Sequence, residues 1–94
     1  MDSLNNRIAI VSAAGRGIGK GIALNLARAG ATVIVNSYSR ETTENTVDEI
    51  IASGGEAKAM PGDITRPELM LEITEQTIQE FGQIDILVNN VGAG

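Results

Sequence analysis

Cysteine and histidine are both absent from this 94-residue sequence. Without cysteine there is no disulfide and no thiolate chemistry. Without histidine the usual zinc ligand and the usual general base are missing. Aromatic residues make up only 2%, as Tyr38 and Phe81, so the core must be aliphatic. Basic residues are few, 7 against 12 acidic ones, for a formal net charge of −5. With no basic patch, nucleic acid and anionic membranes are not expected partners. Apolar runs reach only the length of Ile8-Ala9-Ile10-Val11, far short of a membrane span. The N-terminus also lacks the apolar core of a secretory signal. The expectation is a soluble, cytoplasmic protein.

Hydrophobic residues make up 43%, too many for a disordered tail. The length leaves room for one small domain, which buries roughly 60–65% of its unfolded surface. Residues 7–11 form an almost continuous apolar run, as a strand buried on both faces should. After a glycine-rich turn, Ile18, Ile22 and Leu26 repeat every four residues, with Ala23 and Ala27 beside them, and predict a helix ending near Gly30. Residues 31–36 read as a second buried strand. Ser39 can cap a second helix with Val47, Ile50 and Ile51 on its apolar stripe, ended by Gly54-Gly55. Residues 56–60 are a weaker third strand. Thr65 and Glu68 have the spacing of a capping box, with Pro67 in the first turn of a third helix. That helix carries Met70, Ile73, Ile78 and Phe81 on one side and closes at Gly82. Residues 84–88 make a fourth strand.

This βαβαβαβ order implies an α/β fold, a Rossmann-type doubly wound parallel sheet with helices on both faces. Right-handed crossovers predict the strand order 3-2-1-4. Ligands then settle at the carboxyl ends of the strands, at the switch point between strands 1 and 4. Two unusual loops meet there.

The first is Ser12-Ala13-Ala14-Gly15-Arg16-Gly17-Ile18-Gly19. Its glycines let a ligand approach the main chain, and the helix start behind it offers unpaired N–H groups to a pyrophosphate. A tight strand-to-helix turn would also use glycines, but the loop opens the first helix of a βαβ unit, as a dinucleotide fingerprint requires. It is not a P-loop, because the spacing from Gly15 to Lys20 is wrong and Gly21 stands where Ser or Thr would bind magnesium. The second loop is Asn89-Asn90-Val91-Gly92 after strand 4, which by itself is only a strand ending.

Together these loops resemble the short-chain dehydrogenase/reductase family over essentially the whole chain. The family's Thr-Gly-x-x-x-Gly-x-Gly pattern is matched by Ser12, Gly17 and Gly19, while Ala13 departs from its first glycine. Ala13 adds one methyl, so a shifted loop is expected rather than lost binding. Asn89-Asn90-Val91-Gly92 is similar to the family's Asn-Asn-Ala-Gly, and Gly62-Asp63-Ile64 to the segment that holds the adenine. Asp63 is equally readable as a helix-capping carboxylate. The resemblance implies a cofactor site formed by Ser12, Ala13, Gly15, Arg16, Gly17, Ile18 and Gly19, by Ser37, Tyr38 and Arg40 after strand 2, and by Asp63, Ile64, Asn90 and Gly92.

An acid at the end of strand 2 would bind the adenosine ribose hydroxyls and repel a 2′-phosphate. Here Ser37 stands in that place and no acid follows until Glu41. Arg16 and Arg40 are placed to clamp a phosphate, although Arg40 also reads as a solvated first-turn residue. The balance favours NADP over NAD.

The resemblance further implies hydride transfer between the nicotinamide and a small-molecule carbonyl or alcohol, catalysed by a Tyr-x-x-x-Lys pair and a serine. The one tyrosine, Tyr38, has Thr42 four residues on, and the only lysines are Lys20 and Lys58. Residues 1–94 are therefore expected to be the nucleotide-binding part of one domain, inactive alone and lacking the catalytic part. The rest of the enzyme, in the same or a separate chain, would be its partner, and the complete enzyme a homo-oligomer. Strand 4 is then expected to be an apolar edge. A nucleotide-binding module without catalysis is the alternative from another class. A methyltransferase is disfavoured, because it would want an acid where Ser37 sits.

Overall fold

The structure, a computed structural model, describes residues 3–90. Along them run β1 (Ile8–Val11), α1 (Gly17–Arg28), β2 (Thr32–Val35), α2 (Arg40–Ala52), β3 (Glu56–Ala59), α3 (Pro67–Phe81) and β4 (Ile86–Val88). The strands form one parallel sheet in the order β3-β2-β1-β4. This is the order expected from right-handed crossovers.

Alternation along the two central strands divides the core. Ala9, Val11, Val33 and Val35 face Ala23 of α1 and Val47 and Ile50 of α2. Ile8, Ile10 and Ile34 face Ile73 of α3. Covering both faces explains why β1, and β2 after Thr32, are apolar at consecutive positions instead of at every second one. Ile10, Ile34, Ile50 and Ile73 are each at most 1% exposed, and burying such a side chain contributes about 2 kcal/mol. The outer strands differ in kind. In β3, Glu56 and Lys58 alternate with alanines, and Lys58 pairs with Glu80 of α3. β4 has β1 as its sheet neighbour among the described residues, with Leu87 left 56% exposed.

Several local expectations need correction. Ile18, Ile51 and Ile78 are 71%, 54% and 45% exposed. In α1 the sheet-facing positions are instead Gly19 and Ala23, small enough to let the helix backbone come close. In α2, Thr43 and Thr46 complete the buried face. In α3, Thr77 lies one turn beyond Ile73 and is buried in place of Ile78, its hydroxyl donating to the Ile73 carbonyl at 2.7 Å. The expected Thr65–Glu68 capping box does not form. Asp63 Oδ1 accepts from both the Thr65 hydroxyl (2.6 Å) and its backbone N–H (3.0 Å), and Arg66 becomes the cap residue. The Thr65 hydroxyl donates to this carboxylate in a charge-assisted bond instead of turning to accept a helix-start N–H. The Ser39 cap does form, accepting from the Thr42 N–H at 3.1 Å.

Candidate functional site

A cleft of about 740 Å³ opens at the carboxyl ends of the strands. A smaller hollow of about 400 Å³ lies at their amino ends, between Asn5, Arg28, Gly30 and Ser53. Only the larger one is bordered by the glycine loop. Ala13, Gly15, Arg16, Gly17 and Ile18 line it on one side, Ser37 and Tyr38 on another, and Asn90 on a third. The structure thus gathers eight of the expected site residues around one space.

Glycines in this loop are needed for different reasons. A Cβ on Gly19 would lie 2.2 Å from the Ala13 carbonyl oxygen and 2.7 Å from Asn90 Nδ2. A Cβ on Gly15 would lie 2.8 Å from the hydroxyls of Ser37 and Thr42. Gly17 instead has φ of +61° with open space where a side chain would stand, so its backbone is bare to the cleft. Ala13, where the family pattern has glycine, adopts φ of +53° itself. The alanine is thus held in a left-handed conformation. α1 begins with no side-chain hydrogen bond to its first turn, so its leading N–H groups stay available to an acceptor.

Ser12 is fully buried and staples this loop to the end of β4. Its hydroxyl shares a proton between the Val88 carbonyl and Asn89 Oδ1, each at 3.3 Å, and accepts from the Asn90 N–H at 2.9 Å. It faces protein, not the cleft. Gly92 lies outside the described residues.

The wall after β2 consists of hydroxyls. Ser37 Oγ is 2.7 Å from Thr42 Oγ1 and 2.6 Å from Thr43 Oγ1, and Thr42 Oγ1 is 2.9 Å from Ser39 Oγ. Ser39 and Thr42 line the cleft as well. Sequence reading did not assign them; the available signal was the run of hydroxyl residues across the cap of α2. No carboxylate is among the lining residues. Tyr38 is 79% exposed at the mouth. Arg16 is exposed on the rim, whereas Arg40 points along α2 to Glu44 at 3.4 Å and is not part of the lining.

Beyond β2, the exit of β3 carries Gly62, Asp63 and Ile64. Ile64 packs on the core beneath α3 and Asp63 forms the turn just described. The Thr65 hydroxyl, then the Thr65 backbone N–H, hold the Asp63 carboxyl below its ordinary range against desolvation, with a lesser contribution from Arg66. Asp63 is thus an anion with an acceptor oxygen to spare; it closes the turn before α3 and caps no helix N–H. Neither Asp63 nor Ile64 lines the cleft itself. Among the described residues no cluster of acidic side chains suits a metal ion, and no helix is long and apolar enough to cross a membrane.

Known proteins resemble this chain in both sequence and fold. The profile of the family described as short chain dehydrogenase matches residues 7–94. The hydroxynaphthalene reductase-like protein Arp2 of Metarhizium robertsii is 45% identical over 91 residues, covering 96% of this chain and 34% of that protein. The 7alpha-hydroxysteroid dehydrogenase of Escherichia coli is 42% identical over 91 residues, covering 97% and 36%. A solved structure of a 7 alpha-hydroxysteroid dehydrogenase complexed with NADH and 7-oxo glycochenodeoxycholic acid aligns with a TM-score of 0.86 at 41% identity, covering 92% of this chain and 34% of that one. The chain spans about a third of the length of these relatives. Since the profile extends from the first residue before β1 to the last residue of the sequence, the chain belongs to the short chain dehydrogenase family.

Proposed function

We propose that this chain forms the cofactor-binding part of an oxidoreductase that moves hydride between a nicotinamide dinucleotide and a small carbonyl or alcohol. The observation that carries this reading is the bare backbone at Gly17 beside an uncapped start of α1, facing a cleft large enough for a nucleotide. Gly15, Gly17 and Ile18 would hold the pyrophosphate, and Asp63 and Ile64 the adenine. Asn90 would border the nicotinamide side. When bound, the dinucleotide supplies the hydride; the chain's own residues bind and orient it.

NADP is the proposed cofactor, with NAD the weaker ligand. The NADH in the neighbouring dehydrogenase belongs to that protein. Here the wall after β2 offers hydroxyl groups and no carboxylate, and Arg16 on the rim can pair with a 2′-phosphate. Arg40 stays in the proposal as a second cation that would have to leave Glu44.

The sequence holds no Tyr-x-x-x-Lys pair, and Lys20 and Lys58 are engaged with Glu49 and Glu80. The 94-residue chain is therefore proposed to bind cofactor without turnover. Catalysis then needs a further polypeptide segment, and a cytoplasmic homo-oligomer is the form proposed for the complete enzyme. The missing pair also favours the second reading, a nucleotide-binding module with no catalysis.

Titration of the chain with NADPH and NADH, followed by calorimetry, tests the cofactor reading. NADPH should bind about tenfold more tightly, and Arg16→Ala should remove about that factor, ~1.4 kcal/mol, for NADPH alone. Absence of binding by either dinucleotide would sink it. Oxidation of NADPH by the chain in the presence of a simple ketone would overturn the proposal that it is inactive alone.

A further inference from the structure

Asn36, the residue after β2, is 1% exposed and was assigned no role by motif. Every polar group it has is committed. Its backbone N–H donates to the Val11 carbonyl at 3.0 Å, and its carbonyl accepts from the Ala14 N–H at 2.6 Å. Its side-chain Oδ1 accepts from the Ala13 N–H at 3.4 Å. Its Nδ2 donates to the carbonyls of Met60 at 2.9 Å and Gly62 at 3.2 Å. The orientation of the carboxamide is unambiguous, since an N–H must meet oxygen and two carbonyls must meet N–H.

We propose that Asn36 is a positioning residue for the cofactor: its carboxamide sets the glycine loop and the β3 exit at a fixed separation on the adenosine side of the cleft. The proposal rests on the nucleotide-binding reading above. The two segments it joins lie 23 to 26 residues away in sequence; Ala13 lines the cleft, and Met60 and Gly62 lie outside its lining. On one side it holds Ala13, whose left-handed backbone has no other side-chain partner within the described residues. On the other it holds Gly62, the residue before Asp63. Ser12 performs the matching task toward β4 and Asn90, so the loop is latched on both flanks. Only a carboxamide presents an acceptor to one segment and two donors to the other from a single short side chain. An aspartate of the same shape would set a carboxylate against two carbonyl oxygens.

The test compares Asn36→Ala with Ile73→Val, which thins the core beneath α3, on which Met60 and Ile64 pack, but removes no hydrogen bond between the two segments. Adenosine 2′,5′-bisphosphate is titrated into each variant of the 94-residue chain and followed by amide NMR. Asn36→Ala should bind about tenfold more weakly, with ligand-induced shifts lost at Gly62–Ile64 and kept at Gly17–Ile18. Ile73→Val should bind within about twofold of the parent, because losing one methylene leaves every hydrogen bond of the two segments in place. Equal affinities for the two variants, or loss of shifts at both loops together, would overturn the proposal and leave Asn36 a residue of general stability. Should Asn36→Ala fail to fold, the parent chain still decides. Its Asn36 carboxamide protons must exchange with solvent far more slowly than those of exposed Asn25, and comparable rates refute the latch. Should the parent not bind the bisphosphate, the nucleotide reading fails by itself. The latch is then judged by hydrogen exchange at Ala13, Ala14 and Gly62, which Asn36→Ala must accelerate and Ile73→Val must not.

Discussion

The two ends of the sheet use glycine for opposite purposes. At the amino end, Gly30, Gly54 and Gly82 follow helices, and each has a positive φ that ends the helix cleanly. Gly54 and Gly82 have nothing near the place where a side chain would stand. At the carboxyl end, Gly15 and Gly19 precede or open a helix with ordinary backbone angles, but have no room for a side chain. Gly54 and Gly82 answer a conformational need, and Gly15 and Gly19 a spatial one. Gly30, whose Cβ would lie 2.4 Å from Asn5 Oδ1, answers both, and Gly17 at the carboxyl end is conformational again. Hydrogen bonding divides in the same way. The amino end is internally satisfied: Asp85 Oδ2 accepts from the Ile8 N–H at 2.8 Å, and Gln83 Nε2 donates to the Asn6 carbonyl at 2.8 Å. The carboxyl end leaves the first turn of α1 uncapped.

The sharpest way to break this contrast is to add the same methyl at both ends. Gly19→Ala drives a carbon into the Ala13 carbonyl and the Asn90 side chain, so backbone must move. A loss of about 3 kcal/mol is expected from overpacking of this kind, and nucleotide binding should disappear with it. Gly82→Ala at φ of +80° meets open space and pays only the left-handed penalty, about 1 kcal/mol, with binding unchanged. Chemical denaturation together with NADPH titration separates the two. If both variants lose binding equally, the two glycine roles are not distinct.

Acid should act on the amino end. The Ile8 backbone N–H, then the Gln83 amide, and the Arg7 guanidinium hold the Asp85 carboxyl below its ordinary range, with desolvation opposing. A carboxyl lowered in the folded state stabilises fully above its unfolded pKa, about 3.9, and that stabilisation is lost as pH falls through the lower folded value. Unfolding midpoints measured from pH 6 to pH 2 should therefore fall below about pH 4. Asp85→Asn should start lower at pH 6 and decline less, with Asp63 leaving a residual acid sensitivity. Nucleotide affinity at neutral pH should stay at the parent value. A change in affinity would mean the two ends are mechanically coupled.

Periodicity was enough for the element order, the sheet order and the Ser39 cap, because each depends on residues close in sequence or on handedness alone. The glycine loop was equally legible, since its spacing and its position between β1 and α1 are both local facts. What spacing could not reveal was competition and distance. Thr65 had the right offset from Glu68, yet its hydroxyl went to Asp63. Ile78 had helical spacing, but one residue shifts a side chain by a quarter turn, and the buried line runs from Ile73 to Thr77. Arg40 stood beside the expected phosphate site in sequence and lies along α2 in space. Asn36 joins segments far apart in sequence, and no pattern along one strand announces that. Ala13 was visible as a departure from the family's glycine, but the sign of its φ was not.

That sign yields the smallest effect. Ala13 sits at φ of +53°, a region that costs a residue bearing a Cβ about 1–2 kcal/mol. Ala13→Gly removes that strain and adds freedom to the unfolded chain, which costs about 0.5–1 kcal/mol. The net expectation is a gain of about 0.5 kcal/mol, the reverse of what alanine-to-glycine does at most positions. If Asn36 and Ser12 hold the loop in place, removing the methyl should leave its geometry and the affinity for NADPH within about twofold of the parent. A destabilised Ala13→Gly chain would mean that the loop relaxes to an ordinary backbone angle when free to choose. The cleft would then owe its shape to the alanine rather than tolerate it.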